Sequence, residues 1–219
     1  MAKTAADTRT PRRTAPREER QLQLIRATIR SVAANGLSET TMATVANAAG
    51  LSQGIINLHF RSKQRLLVAT LRFLADEYRA CWEQAVADAG DDPADRLAAR
   101  VAADFAPPAC HRDKLAVWFA FWGESKSRPT YRRICAERDR ADRAVIVDLC
   151  RALIDAGGYT GIDADTVAAT LSAMTAGLWL DLLTRPRTID RDQAHTICTA
   201  YLGATFARHF PRPAPGVTR

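Results

Sequence analysis

The sequence lacks the long apolar run of a membrane-spanning helix and the pattern of a signal peptide, and both absences bear on the cellular location of the protein. Residues 166–180 are the most apolar stretch, but these 15 uncharged residues fall short of the roughly 18 that a membrane-spanning helix needs. The N-terminus is basic, yet the apolar segment of a signal peptide does not follow it. We therefore expect a soluble, cytoplasmic protein that does not enter a membrane.

The sequence is also poor in the patterns that mark metal sites and enzymes. Its five cysteines are scattered without a Cys-x-x-Cys pair, and its four histidines are equally dispersed. This favours a reducing compartment and packing roles for the thiols, with no metal and no cofactor. A glycine-rich phosphate loop, an H-E-x-x-H motif and a G-x-S-x-G motif are all missing, so an enzyme with a basic tail finds little support.

The net charge of +7 is concentrated at the N-terminus. Residues 1–65 contain 11 basic and 4 acidic residues, whereas residues 66–219 contain 20 of each and are neutral. A short basic segment on a neutral body is typical of a nucleic-acid-binding module. Charge alone is equally compatible with a solvated surface, so the hypothesis of DNA binding needs a second observation.

The hydrophobic periodicity beyond residue 17 is helical, and no alternating strand pattern competes with it. Residues 1–17, rich in Thr, Ala, Pro and Arg, are predicted to be a flexible basic arm. We predict an all-α protein of about nine helices, with a three-helix N-terminal domain over residues 18–78 and a larger helical domain over residues 79–219. The predicted helices begin near Glu18 and then cover residues 42–49, 53–59, 63–89, 94–106, 112–127, 130–156, 164–184 and 190–209.

Two short predicted helices, separated by a tight turn, supply the second observation. Residues 42–49 and 53–59 flank the turn Ala49-Gly50-Leu51-Ser52. Small residues where the helices cross and a glycine in the turn are typical of a helix-turn-helix, here over residues 41–60. In that motif the second helix protrudes into a DNA major groove. An ordinary helical hairpin with polar outer residues is the alternative.

The second of these helices presents side chains that match the edges of bases. Gln53 and Asn57 can each pair with adenine through two hydrogen bonds, and Ile55 can contact a thymine methyl group. Thr41 and Lys63 lie at helix N-termini, where hydroxyl, ammonium and backbone N–H groups suit phosphates. The residues predicted to contact DNA are Thr41, Thr44, Ser52, Gln53, Gly54, Ile55, Asn57, His59 and Lys63.

The segment from Thr41 to Lys63, together with the helix before it and Leu66-Leu67 after it, resembles the signature of TetR-family repressors. The resemblance covers about residues 18–78. It implies an all-helical, Ω-shaped dimer with three N-terminal helices for DNA and a ligand pocket in the larger domain. Members of the family usually carry aromatic residues where this chain has Asn57 and Leu58. That departure removes a usual phosphate contact and makes Asn57 a candidate for reading a base.

Two C-terminal segments resemble a narrower group, the choline-responsive repressors of glycine-betaine biosynthesis (BetI type). They are LAVWFAFWGE at residues 115–124 and AGLWLDLL at residues 176–183. The Gly54-Ile55-Ile56 core of the second short helix agrees with the same group. The resemblance implies repression of genes for choline uptake and for oxidation of choline to betaine, relieved by choline.

The aromatic residues of these segments suit a quaternary ammonium ligand, which binds aromatic faces because it has no N–H to donate. Trp118, Phe121 and Trp122 recur at helical spacing and share one helix face. The predicted ligand-site residues are Trp118, Phe121, Trp122, Glu124, Trp179 and Asp181. The same stripe would serve core packing or a dimer interface. Another cationic or lipophilic ligand is a further alternative.

The last two long predicted helices, residues 164–184 and 190–209, suit a four-helix interface with a second subunit. A two-fold homodimer would place two recognition helices about 34 Å apart, or a multiple of that, and so requires a near-palindromic operator. We expect the ligand to favour a geometry in which this separation no longer matches. The main rival is a DNA-binding protein without a ligand, which predicts a filled C-terminal core.

Overall fold

A computed structural model of the chain describes residues 17–107 and 109–210. These residues form nine α-helices and contain no β-strand, which confirms the all-α prediction. Residues 1–16, most of the predicted arm, lie outside the described residues. The helices are α1 (Arg17–Glu39), α2 (Met42–Ala48), α3 (Gln53–His59), α4 (Lys63–Asp88), α5 (Pro93–Ala103), α6 (Arg112–Glu124), α7 (Pro129–Gly157), α8 (Ala164–Thr184) and α9 (Arg191–Thr205).

The helix boundaries follow local capping residues. The Thr41 hydroxyl accepts from the backbone N–H of Thr44 at 3.1 Å, and the Thr44 hydroxyl accepts from the Thr41 N–H at 2.8 Å, a reciprocal pair that begins α2. The Ser62 side chain caps α4 in a similar way. Gly36 has a φ of 79° and kinks α1, which continues to Glu39.

The first three helices pack against the start of α4 to form a small unit. Leu24 of α1, Val45 of α2, Ile56 of α3 and Leu66 of α4 are completely buried in its core. Burying a side chain of this size stabilises a fold by about 1.5–3 kcal/mol. Ala46 is also buried, and its small side chain lets α2 lie close to its neighbours.

Helices α5 to α9 form a larger unit together with the C-terminal part of α4, which packs mainly on α5 and α7. Helix α7 contacts α4, α5 and α8, so it occupies the middle of this unit. Two helices connect the units, because α4 runs through both and α6 packs along α1. A change of packing in the larger unit can therefore reach the N-terminal unit through α4 and α6.

Candidate functional site

Helix α3 presents a polar surface to solvent. Gln53, Gly54 and Asn57 are exposed, Ile55 is half-buried, and Ile56 is buried and anchors the helix. Two amide side chains thus stand one turn apart on a helix that is fixed from behind. That is the arrangement needed to reach base edges in a major groove.

The polar residues flanking α3 differ in how they are held. Thr41 and Thr44 are exposed, and their hydroxyls are engaged in the cap of α2. Ser52 is exposed at the N-cap position of α3, where its side chain makes no capping bond. The Lys63 ammonium donates to the Ser38 carbonyl at 2.9 Å, so it ties α4 to the end of α1.

Two further side chains of α3 complete this surface. His59 is half-buried, and burial, followed by the nearby Arg17 and Arg20, lowers its pKa. His59 is therefore neutral at physiological pH. Leu58 is 76% exposed, which makes it the most exposed large apolar residue in the described chain. An apolar side chain at this position can contact thymine methyl groups or sugars, a role that the sequence predictions did not assign.

Helix α1 holds the turn of the helix-turn-helix through two side-chain hydrogen bonds. The Gln23 amide donates to the Ala49 carbonyl at 2.7 Å, and the Arg30 guanidinium donates to the Ala48 carbonyl at 3.2 Å. Both acceptors lie at the C-terminal end of α2, where backbone carbonyls lack intrahelical partners. These bonds fix the turn and therefore the direction in which α3 points.

A cavity of about 480 Å³ lies inside the larger unit, between α4, α5, α7 and α8, with one wall from α6. Its volume falls within the range of ordinary small-molecule sites, about 300–1,000 Å³. The aromatic and polar residues that line it include Tyr78, Asp104, Trp122, Arg138, Asp139, Asp142, Thr175 and Trp179.

Four aromatic side chains, which we call the aromatic cage, gather at one end of this cavity. They are Tyr78 of α4, Trp118 and Trp122 of α6, and Trp179 of α8. Trp122 and Trp179 are stacked at 17° with their ring centroids 6.5 Å apart, and Tyr78 meets Trp179 edge-on at 5.7 Å. Trp122 is half-buried and the other three are buried. Tyr78, Trp122 and Trp179 also line the cavity, whereas Trp118 does not.

The structure brings together three of the six predicted ligand-site residues, namely Trp118, Trp122 and Trp179. The other three lie elsewhere. Phe121 packs edge-on against Tyr131, Glu124 pairs with Arg128, and Asp181 pairs with Arg185 in a surface groove between α8 and α9. The carboxylates that do line the cavity are Asp104, Asp139 and Asp142.

A buried polar network closes the cavity from behind. The guanidinium of Arg100 donates to Asp104 at 2.8 Å, to the Tyr78 hydroxyl at 2.7 Å, and to Asp142. The Tyr78 hydroxyl donates to Asp104 at 2.6 Å, and the Thr175 hydroxyl donates to the same carboxylate at 3.1 Å. Because these residues come from α4, α5, α7 and α8, the network fixes the relative positions of four helices.

Burial and charge set the protonation states in this region. Burial, with the Asp104 carboxylate next, raises the pKa of Tyr78, so its hydroxyl remains a hydrogen-bond donor. Burial also raises the pKa of Asp142, against the opposing effect of Arg100. Burial raises the pKa values of Cys135 and Cys198 to about 11, which leaves both as unreactive thiols.

Two family models match the chain. Residues 24–70 match the family described as bacterial regulatory proteins, tetR family, and this range contains the helix-turn-helix. Residues 93–207 match the family described as BetI-type transcriptional repressor, C-terminal, and this range contains every helix around the cavity except α4.

Related sequences agree with these matches. The HTH-type transcriptional regulator BetI of Burkholderia thailandensis is 38% identical over 164 residues, which are 75% of this chain and 82% of the relative. The protein of the same name from Burkholderia mallei is 34% identical over 191 residues, which are 87% of this chain and 95% of the relative.

Solved structures share the fold. A transcriptional regulator from Pseudomonas aeruginosa PAO1 is 29% identical with a TM-score of 0.77, and the match covers 90% of this chain and 96% of that one. A transcriptional regulator from Saccharomonospora viridis in complex with choline is 25% identical with a TM-score of 0.74. That match covers 84% of this chain and 96% of the other.

Proposed function

Because this chain belongs to the TetR family of bacterial regulatory proteins and has a BetI-type C-terminal domain, we propose that it is a cytoplasmic repressor released from its operator by choline. The chain is a transcription regulator and not an enzyme. The genes it controls would be those for choline uptake and glycine-betaine biosynthesis. The observation that carries the proposal is the aromatic cage beside an accessible cavity.

The chemistry of the cage supports a quaternary ammonium ligand. A trimethylammonium group has no N–H, so a site recognises it through ring faces, each contributing about 0.5–2 kcal/mol. Trp122 and Trp179 provide large ring faces on the cavity wall, and the carboxylates of Asp139 and Asp142, each bonded to an arginine, line the same wall. The choline-bound regulator from Saccharomonospora viridis, which has the same fold, also supports this ligand class.

The positions of the cage residues suggest how the ligand acts on DNA binding. Tyr78 lies on α4, which begins beside the helix-turn-helix, and Trp118 and Trp122 lie on α6, which packs along α1. A ligand that draws these rings to a new position shifts α4 and α6, and with them the direction of α3. A coupling of 1–3 kcal/mol, typical of allosteric proteins, would be enough for release.

On the DNA side, α3 would enter the major groove with Gln53 and Asn57 directed at base edges. Thr41, Thr44, Ser52 and Lys63 would position the unit on the phosphates, as hydroxyl and ammonium groups near helix ends commonly do. Of these, Lys63 would have to leave its bond to Ser38 or share it.

A homodimer is part of the same proposal. Although its uncharged run is only 15 residues, helix α8 as a whole is long and apolar enough by composition to cross a membrane, with a mean hydropathy of 1.4 over an 18-residue window. Only 28% of that window is buried by the chain itself. Leu180 on α8 and Ile197 on α9 are 44% and 43% exposed. A second copy of the chain would cover this apolar face and supply the second recognition helix.

Changing both Leu180 and Ile197 to glutamate should convert the dimer to a monomer. Two charges placed in an apolar interface lose their hydration without gaining partners, and we expect the dimer dissociation constant to rise about 100-fold. Sedimentation velocity over a concentration series measures this change. Leu58→Glu, which introduces the same charge at an exposed leucine of α3, is the control for self-association. A double variant that remains dimeric would place the interface elsewhere.

The function is tested by titrating choline into the complex of the protein with an operator duplex selected from random DNA. Saturating choline should lower operator affinity about 5- to 150-fold. The matched control is 3,3-dimethylbutan-1-ol, which has the shape of choline but no charge, and it should leave the affinity unchanged. Indifference to choline, or equal release by the neutral alcohol, would contradict the proposal.

A further inference from the structure

The aromatic cage already contains a cation, and that cation belongs to the protein. The guanidinium carbon of Arg138, on α7, lies 4.1 Å from the ring centroid of Tyr78, 4.6 Å from Trp118, 5.4 Å from Trp179 and 5.8 Å from Trp122. Only 8% of Arg138 is exposed. Every ring of the cage is thus within the distance at which a cation is attracted to an aromatic face.

Arg138 is held mainly by these rings. Its Nη1 donates to Asp139 at 3.0 Å, but its Nε is buried and has no hydrogen-bond partner among the described residues. By contrast, the neighbouring Arg100 is bonded to Asp104, Asp142 and Tyr78. Buried guanidinium groups are normally paired, and one with an orphaned donor is weakly held. The guanidinium of Arg138 is therefore held by fewer hydrogen bonds than that of Arg100.

The rings around Arg138 are the rings that a quaternary ammonium ligand would use. Tyr78, Trp122 and Trp179 face both Arg138 and the cavity. Two cations at the same ring faces would repel each other across a short, poorly screened distance. Simultaneous occupation of the cage by Arg138 and an ammonium group is therefore unfavourable.

We infer that Arg138 is an internal competitor, which fills the aromatic cage of the free protein and must leave before an effector ammonium can bind. The inference rests on the proposed function of the cage as the effector site. Asp139 gives the departing side chain a partner, since its carboxylate is already bonded to Arg138 and is 59% exposed. The guanidinium can swing outward around this contact while keeping its ion pair with Asp139.

The exchange also explains why quaternary ammonium groups would be selected. A guanidinium is weakly hydrated and binds ring faces well, so a strongly hydrated primary ammonium competes with it poorly. A trimethylammonium group is weakly hydrated too and can take its place. Arg138 thereby sets both the selectivity of the cage and the effector concentration at which it responds.

The exchange changes the connections between helices as well. In the free protein Arg138 joins α7 to the rings on α4, α6 and α8. A free ligand makes the same ring contacts but is not attached to α7. Binding therefore removes the Arg138 link between α7 and the three helices that hold the cage, two of which lead to the DNA-binding unit, while the Arg100–Asp142 bond stays in place.

Arg138→Ala and Arg138→Met test the inference, the second because methionine keeps most of the buried volume. Tetramethylammonium and choline are titrated into the full-length protein, followed by calorimetry and by tryptophan fluorescence, since three of the four tryptophans belong to the cage. Both variants should bind both cations about tenfold more tightly than the wild type. Arg133→Gln removes an exposed charge of α7 and should bind them as the wild type does.

The outcomes separate this inference from the proposed function. Unchanged or weaker cation binding in both Arg138 variants would overturn the inference, as would equal tightening in Arg133→Gln. If choline releases the wild-type protein from DNA in that case, the proposed function stands alone. If the Arg138 variants bind cations more tightly but choline never releases the operator, the competitor role stands and the proposed function fails.

Discussion

Replacing Gln53 or Asn57 with alanine should weaken binding to a selected operator duplex by about 5- to 150-fold for each substitution. This range is expected because a contact to a base through two hydrogen bonds discriminates against the wrong base by about 1–3 kcal/mol. Both side chains are exposed on α3, so their removal leaves the core intact. Fluorescence anisotropy with labelled duplex, repeated with single base-pair changes, measures the loss and locates the base each residue reads.

Gln84→Ala is the matched control for these substitutions. Gln84 is an exposed glutamine on α4, outside the helix-turn-helix, and its amide donates a hydrogen bond to Asp88. This variant should bind the operator as the wild type does. If Gln53→Ala and Asn57→Ala also retained full affinity and full sequence preference, α3 would not be the reading element.

Replacing Trp122 with leucine should raise the choline concentration needed for operator release by about 2- to 30-fold. Leucine removes a ring face worth about 0.5–2 kcal/mol to a bound cation while keeping the site apolar. Trp122 is the half-buried member of the cage, so the substitution disturbs folding least. Operator affinity in the absence of choline should be unchanged, and the release titration reports both quantities.

Trp122→Phe provides the graded control, because it retains a smaller aromatic face at the same position. Its response to choline should lie between those of the wild type and Trp122→Leu. If leucine and phenylalanine gave the same choline response as tryptophan, Trp122 would be a packing residue and the cage would not be the effector site.

The helices could be predicted from the sequence because their signals are local. Thr41 and Ser62 cap the helices that follow them, and both bonds span three residues along the chain. The helix-turn-helix could also be predicted, since a glycine at position 50 and the short segment between the two helices define its turn. The predicted exposure of Gln53 and Asn57 also holds in the structure, although their contact with DNA stays a prediction.

The cavity could be predicted only in part, because it is built from residues far apart in the chain. The spacing of Trp118 and Trp122 places them on one helix face, and both join the cage. The same spacing includes Phe121, which turns instead toward Tyr131. A periodic pattern gives the face of a helix but does not give which neighbouring helix each residue meets.

The charged residues that line the cavity were the hardest to predict from the sequence. Glu124 and Asp181 lie beside the aromatic residues in the sequence and were therefore predicted to line the site. Each instead forms an ion pair with the arginine four residues later in the chain. Tyr78 and Arg138 reach the cage from α4 and α7, and no local pattern connects them with Trp179. An arginine in an aromatic core also runs against the usual exposure of that residue type.

The most direct test is a crystal structure of the protein saturated with choline. We expect the trimethylammonium group among Tyr78, Trp118, Trp122 and Trp179, within about 6 Å of their ring centroids, with the Arg138 guanidinium moved out beside Asp139. Choline bound at any other place, with Arg138 still in the aromatic cage, would contradict this expectation.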